Sequence, residues 1–214
     1  MNQQGMNLHT LPLRLAFFAL ISVGFAEEPA AKASSPGSNS SEEERETVHD
    51  TDFYKMMRVV MHQRCVNCHP SDHIPKQSED AHPHHFGIKR GQTGQPNHGA
   101  KATQCSTCHQ SENNDFSGVP GAPEWSLAPH SMRWEGLTAQ EIAASFLDPK
   151  RNGGRDHDAV MHHMTEHPLV LWAWNPGINA AGIPREKPPV EKAEYIKAVK
   201  TWFEAGAIIP PAAK

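Results

Sequence analysis

The 214-residue chain has few long apolar runs, few aromatics and little charge imbalance. A membrane-spanning helix needs about 20 consecutive apolar residues. The longest stretch here, Leu15 to Val23, is about half of that and carries Ser22, so no span is expected in the mature chain. Twenty basic residues stand against twenty-four acidic ones, for a formal net charge of −4, and from these totals no electropositive surface large enough to suggest nucleic-acid binding follows. Aromatic residues make up 7% of the chain and prolines number eighteen, a thin apolar supply that leaves long loop-like stretches. Something other than side chains is therefore expected to help fill the core.

Cysteine is scarce too, and its placement is the most informative feature of the sequence. All four cysteines fall in two blocks, Cys65-Val-Asn-Cys68-His69 and Cys105-Ser-Thr-Cys108-His109, which leaves none for a structural disulfide elsewhere. Two thiols separated by two residues can add across the two vinyl groups of a porphyrin, and the histidine that follows can then reach the iron from below. Two C-x-x-C pairs can also make a four-thiolate zinc site, but zinc gives no reason for a histidine directly after each pair. A thioredoxin-like redox pair would sit in a βαβ pattern, which is not visible. Two covalently attached c-type haems are the expectation, held by Cys65, Cys68 and His69 and by Cys105, Cys108 and His109.

Arg14 precedes the Leu15–Val23 run, and Gly24 and Ala26 are the small residues that a signal peptidase accepts, so residues 1–26 read as a signal peptide cleaved after Ala26. This predicts a periplasmic or otherwise exported protein, soluble after cleavage. Residues 27–46 hold a Ser-rich stretch and the charge run Glu42-Glu-Glu-Arg-Glu46, and read as a flexible acidic tether.

The domain expected over 47–214 is mostly α-helical, with short helices and long loops wrapped around two haems in a cytochrome c-like arrangement. Phe53, Met56, Met57, Val60 and Met61 share one face of a helix predicted over Asp52 to Arg64. Pro70 to Lys101 is rich in Pro, Gly, Gln and His and reads as a long irregular loop. Thr138 and Glu141 form a capping box ahead of Ile142, Phe146 and Leu147. A further helix is expected from about Asp156 to His167. The last one begins at Pro189 and carries Ile196, Val199, Trp202 and Phe203, with Gly206 placed to end it.

The chain resembles the small exported dihaem cytochromes c that are often labelled as an isoquinoline 1-oxidoreductase subunit. The resemblance runs over roughly Met61 to Pro210. It rests on both cysteine blocks, Trp125 with Leu127-Ala-Pro129, Met132-Arg-Trp-Glu-Gly136, Asp148-Pro-Lys-Arg-Asn-Gly-Gly154, His163-Met164, Pro168-Leu-Val170 and Trp172-Ala-Trp-Asn-Pro-Gly177. It implies electron transfer between redox partner proteins, with a molybdenum hydroxylase-type dehydrogenase as one partner, and it matches His84, Met132 and His163 to the family pattern. The long acidic tether and Ser126 depart from that pattern.

An iron that only carries electrons takes a second protein ligand, histidine or methionine. His84 is expected to supply it at one centre, from a loop tied at both ends to cysteine blocks. His163 is expected at the other, on the edge of a helix face sealed by Val160 and Met164, with Met132 as its substitute. An electron-relaying dihaem cytochrome is thus the first functional expectation. A peroxidase-like enzyme with one open-coordinate haem, or a haem-based sensor, is the alternative.

Overall fold

The structure is a computed structural model that describes residues 51–91, 97–100 and 102–212. The expected signal peptide and tether lie outside the described residues. Among those residues the regular structure is predominantly helical: six short α-helices and two minimal two-stranded antiparallel ladders, about 39% helix in all. No described helix is long and apolar enough to cross a membrane.

Helix α1, Asp52–Val60, buries Phe53, Met56, Met57, Val59 and Val60. It stops earlier than the periodicity predicts, because His62 adopts an extended backbone and its Nδ1 accepts the Arg64 amide at 3.2 Å. That bond caps a separate turn, α2 (Gln63–Val66), which carries Cys65. Met61, assigned to the buried face by spacing, lies just beyond α1 and is 44% exposed.

The segment after Pro70 is irregular, as expected, and is stiffened at two places. Strands β1 (Lys76–Gln77) and β2 (His82–Pro83) pair, and farther on β3 (Gly99–Ala100) pairs with β4 (Thr103–Gln104). A 3₁₀ turn, Cys105–Thr107, opens the second cysteine block directly after β4.

Helix α3 (Ala139–Leu147) begins with the full reciprocal capping box: the Glu141 amide donates to Thr138 Oγ1 while Glu141 Oε2 accepts from the Thr138 amide at 2.8 Å. Helix α4 (His157–Glu166) is capped by Asp156, whose carboxylate accepts the Ala159 amide at 2.8 Å. A single turn, α5 (Pro168–Leu171), has proline at its first position. The last helix, α6, spans Lys192–Glu204. It starts three residues after Pro189 because Val190 is held outside the helix, its side chain buried and its carbonyl accepting from Trp174 Nε1 at 2.8 Å.

Helix α6 packs on α1 and α4, and α3 on α4. The core between them is an aromatic relay: Phe53 to Trp202 at 6.0 Å, Trp202 to Phe146 at 6.4 Å, Phe146 to Trp134 at 5.5 Å between ring centres. The relay ends on His69, against which Trp134 stacks at 3.3 Å. The hydrophobic core therefore runs directly into the first cysteine block.

Candidate functional site

Both cysteine blocks share one turn-closing bond, although the first sits at an α-helical turn and the second at a 3₁₀ turn. The Cys68 amide donates to the Cys65 carbonyl at 3.1 Å, and the Cys108 amide to the Cys105 carbonyl at 3.2 Å.

Each motif histidine is then held in the same manner. Nδ1–H of His69 donates to the Met132 carbonyl at 2.6 Å, and Nδ1–H of His109 donates to the Pro120 carbonyl at 2.8 Å. A carbonyl can only accept, so the proton is fixed on Nδ1 and the lone pair is left on Nε2 in each neutral ring. Burial holds the rings in that neutral form. His69 is pushed down to about 3 and His109 is lowered, in both cases chiefly by loss of solvent. A tryptophan lies flat on each ring: Trp134 on His69 at 10° between planes, and Trp125 on His109 at 4.4 Å and 7°. Two neutral imidazoles, each oriented by a backbone carbonyl and backed by an indole, thus follow the two cysteine pairs, although the Met132–Trp134 and Pro120–Trp125 segments that support them differ in sequence.

The first site opens onto a cavity of about 290 Å³, at the lower edge of the roughly 300–1,000 Å³ range of small-molecule sites. Cys65, Cys68 and His69, each half-buried, line it. Burial pushes the Cys65 thiol up to about 12 and the Cys68 thiol up to about 11, with Cys105 near enough to push Cys68 in the same direction. Thiols raised this far are poor thiolate donors and poor disulfide-exchange nucleophiles. Among the described residues no three His, Cys, Asp or Glu side chains gather to hold a bare metal ion, which is the gathering a four-thiolate zinc site requires.

His163 lines the same cavity and is near enough to His69 to influence its titration; its own value falls to about 4, mainly through burial. Val160 and Met164 are buried beside it on α4, as the spacing predicts, while His162 points outward and pairs with Glu166 at 3.2 Å. Met132 also borders the cavity and is buried, but its main chain occupies the Nδ1 side of His69. Trp134 Nε1 and Arg64 Nε, on residues that border the cavity, are buried donors with no acceptor.

The second site lies nearer the surface. Its Cys108 is exposed, and His84 comes to it from the 70–91 segment. His84 and His109 have ring centres 6.0 Å apart and planes at 75°. Two imidazoles on opposite sides of one metal ion, each bonded at about 2 Å, have ring centres about 6 Å apart. Nδ1–H of His84 donates to the His85 carbonyl at 2.9 Å, so its Nε2 also keeps the lone pair. The other histidines of that segment are engaged differently: His82 bonds Asp80 at 2.7 Å and Gln77 at 2.9 Å, and His85 is exposed.

Several positioning residues carry no motif of their own. Asn113 Oδ1 accepts from Trp172 Nε1 at 2.9 Å and from the Gly121 amide at 3.0 Å. Trp172 in turn packs edge-on against Trp125 at 4.9 Å. Gly121 follows the Pro120 whose carbonyl holds His109, and a Cβ there would run into the Glu112 carbonyl. No family model, no curated protein and no solved structure matches the chain.

Proposed function

We propose that the chain is an exported c-type cytochrome with two covalently attached haems, relaying electrons between a dehydrogenase and a downstream acceptor. The observation that carries this reading is the duplicated arrangement behind the motifs: a Cys-x-x-Cys-His turn, a histidine locked with Nδ1–H on a backbone carbonyl, and a tryptophan stacked on the ring. Oriented imidazoles of this sort are what metal-ligating histidines require. A carbonyl-held histidine suits a zinc ligand as well, but zinc gives no reason for a histidine directly after each cysteine pair.

The residues fit the group. Cys65 and Cys68 would hold one haem and Cys105 and Cys108 the other, with His69 and His109 as the iron ligands on the attached side. The first cavity is largely apolar, and the unpaired donors Trp134 Nε1 and Arg64 Nε suit the carboxylates on a porphyrin edge. His84 serves as second ligand at the Cys105–His109 centre on the strength of its 6.0 Å spacing from His109. His163 serves at the Cys65–His69 centre because it shares the cavity with His69, and it is preferred to Met132, whose carbonyl already holds the attached-side ligand.

Bound haem iron supplies one-electron chemistry, cycling between ferric and ferrous with no bond made or broken. The chain's own part is to fix both imidazoles, exclude water from the first centre and leave the second near the surface, where a partner protein can approach. The family resemblance supports a molybdenum hydroxylase-type dehydrogenase as the donor.

A reduced pyridine spectrum of the denatured protein tests the reading: two haems per chain, retained through acid-acetone extraction, are expected. Colour that extracts, or zinc in place of haem, would overturn it. Carbon monoxide added to the reduced native protein separates electron transfer from the enzyme and sensor alternatives, since two ligands on each iron leave no site for it. N-terminal sequencing of the exported protein should begin at Glu27.

A further inference from the structure

Arg90 is 6% exposed; the other buried guanidinium among the described residues, that of Arg64, has Glu79 at 2.8 Å. The carboxylate that acts on Arg90 is Asp72, which is already paired with Lys76 at 3.1 Å. Arg90 is instead fastened by neutral acceptors: Nη1 donates to Asn97 Oδ1 at 2.6 Å and to the Ala128 carbonyl, while Nε is buried with no partner. A guanidinium stays charged even when buried. The fold thus keeps a fixed positive charge in its interior without a full counter-charge.

Its position gives that charge a use. The Ala128 amide donates to the Cys68 carbonyl at 3.1 Å, and the residue after Asn97, His98, accepts the Cys105 amide at 2.9 Å. Through these two short links one side chain spans from the first cysteine turn to the second, and the Asn97 and Ala128 segments are themselves joined by the Leu127 amide on the Asn97 carbonyl at 2.9 Å.

We propose that Arg90 couples the two centres: it clamps both attachment turns at a fixed separation, and its charge raises the reduction potential of both. The proposal rests on the dihaem reading. Oxidation adds a positive charge at the iron, and a buried cation nearby opposes that step in a medium of low dielectric.

Potentiometric titration of the full chain, monitored optically at both centres, is the test, with the haem count of each sample measured beside it. Arg90→Gln should lower both midpoint potentials while two haems are retained, and Arg90→Lys should keep most of the wild-type values. If Arg90→Gln fails to mature, Asn97→Asp keeps the hydrogen bond and sets a counter-charge against the guanidinium, and again both potentials should fall. Unmoved potentials, or a shift confined to one centre, would overturn the proposal. A wild-type sample lacking two haems would overturn the dihaem reading instead, so the two failures are distinguishable.

Discussion

At the scale of single residues, the ligand assignment makes the sharpest predictions. His84→Ala removes the imidazole 6.0 Å from His109, and His163→Ala removes the one that shares the cavity with His69. Each variant should bind carbon monoxide at one reduced haem per chain, where the wild type binds none, and the ferrous spectrum reads the difference. Met132→Ala leaves its carbonyl on His69 Nδ1. It should cost about 2–5 kcal/mol in packing, read by denaturant unfolding, with no open coordination site and no loss of a band near about 695 nm, because none is expected without an iron–methionine bond. The motif residues were legible in sequence because the proposed thioether attachment would fix both residue types and spacing. Their supports were not: Met132 and Pro120 contribute only carbonyl oxygens, which every residue has. Nor do the tryptophans share a spacing, Trp134 lying far downstream of His69 and Trp125 close after His109.

At the scale of elements, end signals were read best where a side chain writes them. The Thr138–Glu141 box starts α3 as the sequence predicts, and Thr138→Ala should destabilise the protein by about 1 kcal/mol in denaturant unfolding while leaving both potentials alone. Where tertiary contacts decide, the sequence misleads. The break between α1 and α2 depends on His62 turning its ring back onto the Arg64 amide, and the late start of α6 depends on Trp174 claiming the Val190 carbonyl. Neither partner is visible in apolar periodicity. The loop at Pro120 illustrates the same point for the site, since only the packed structure sets Gly121 against Glu112. Gly121→Ala should therefore displace the Pro120 carbonyl and disturb the Cys105–His109 centre first, seen as a change in one haem's spectrum with the other unaltered.

At the scale of the whole molecule, the helical character was legible and the amount of irregular chain between the helices was only partly so. The core gathers α1, α3, α4 and α6 around one aromatic relay, and that relay leads to Trp134 and His69. The second site has no such backing; it is built from the His84 segment, the Pro120 loop and the Trp125–Trp172 pair. Loss of haem should consequently harm the two sites unequally. A chain with all four cysteines changed to serine should keep some helical circular dichroism from the α1–α6 core. It should lose the ordered near-ultraviolet signal of Trp125 and Trp172, as expected where packing depends on a bound group rather than on side chains alone.

The central claim, that two c-type haems sit on two carbonyl-held histidines, is tested most directly by counting haem on the purified exported protein. The reduced pyridine spectrum should report two covalent haems per chain, and changing Cys105 and Cys108 to serine should leave one. A count of zero, or of one in the unaltered chain, would contradict the account.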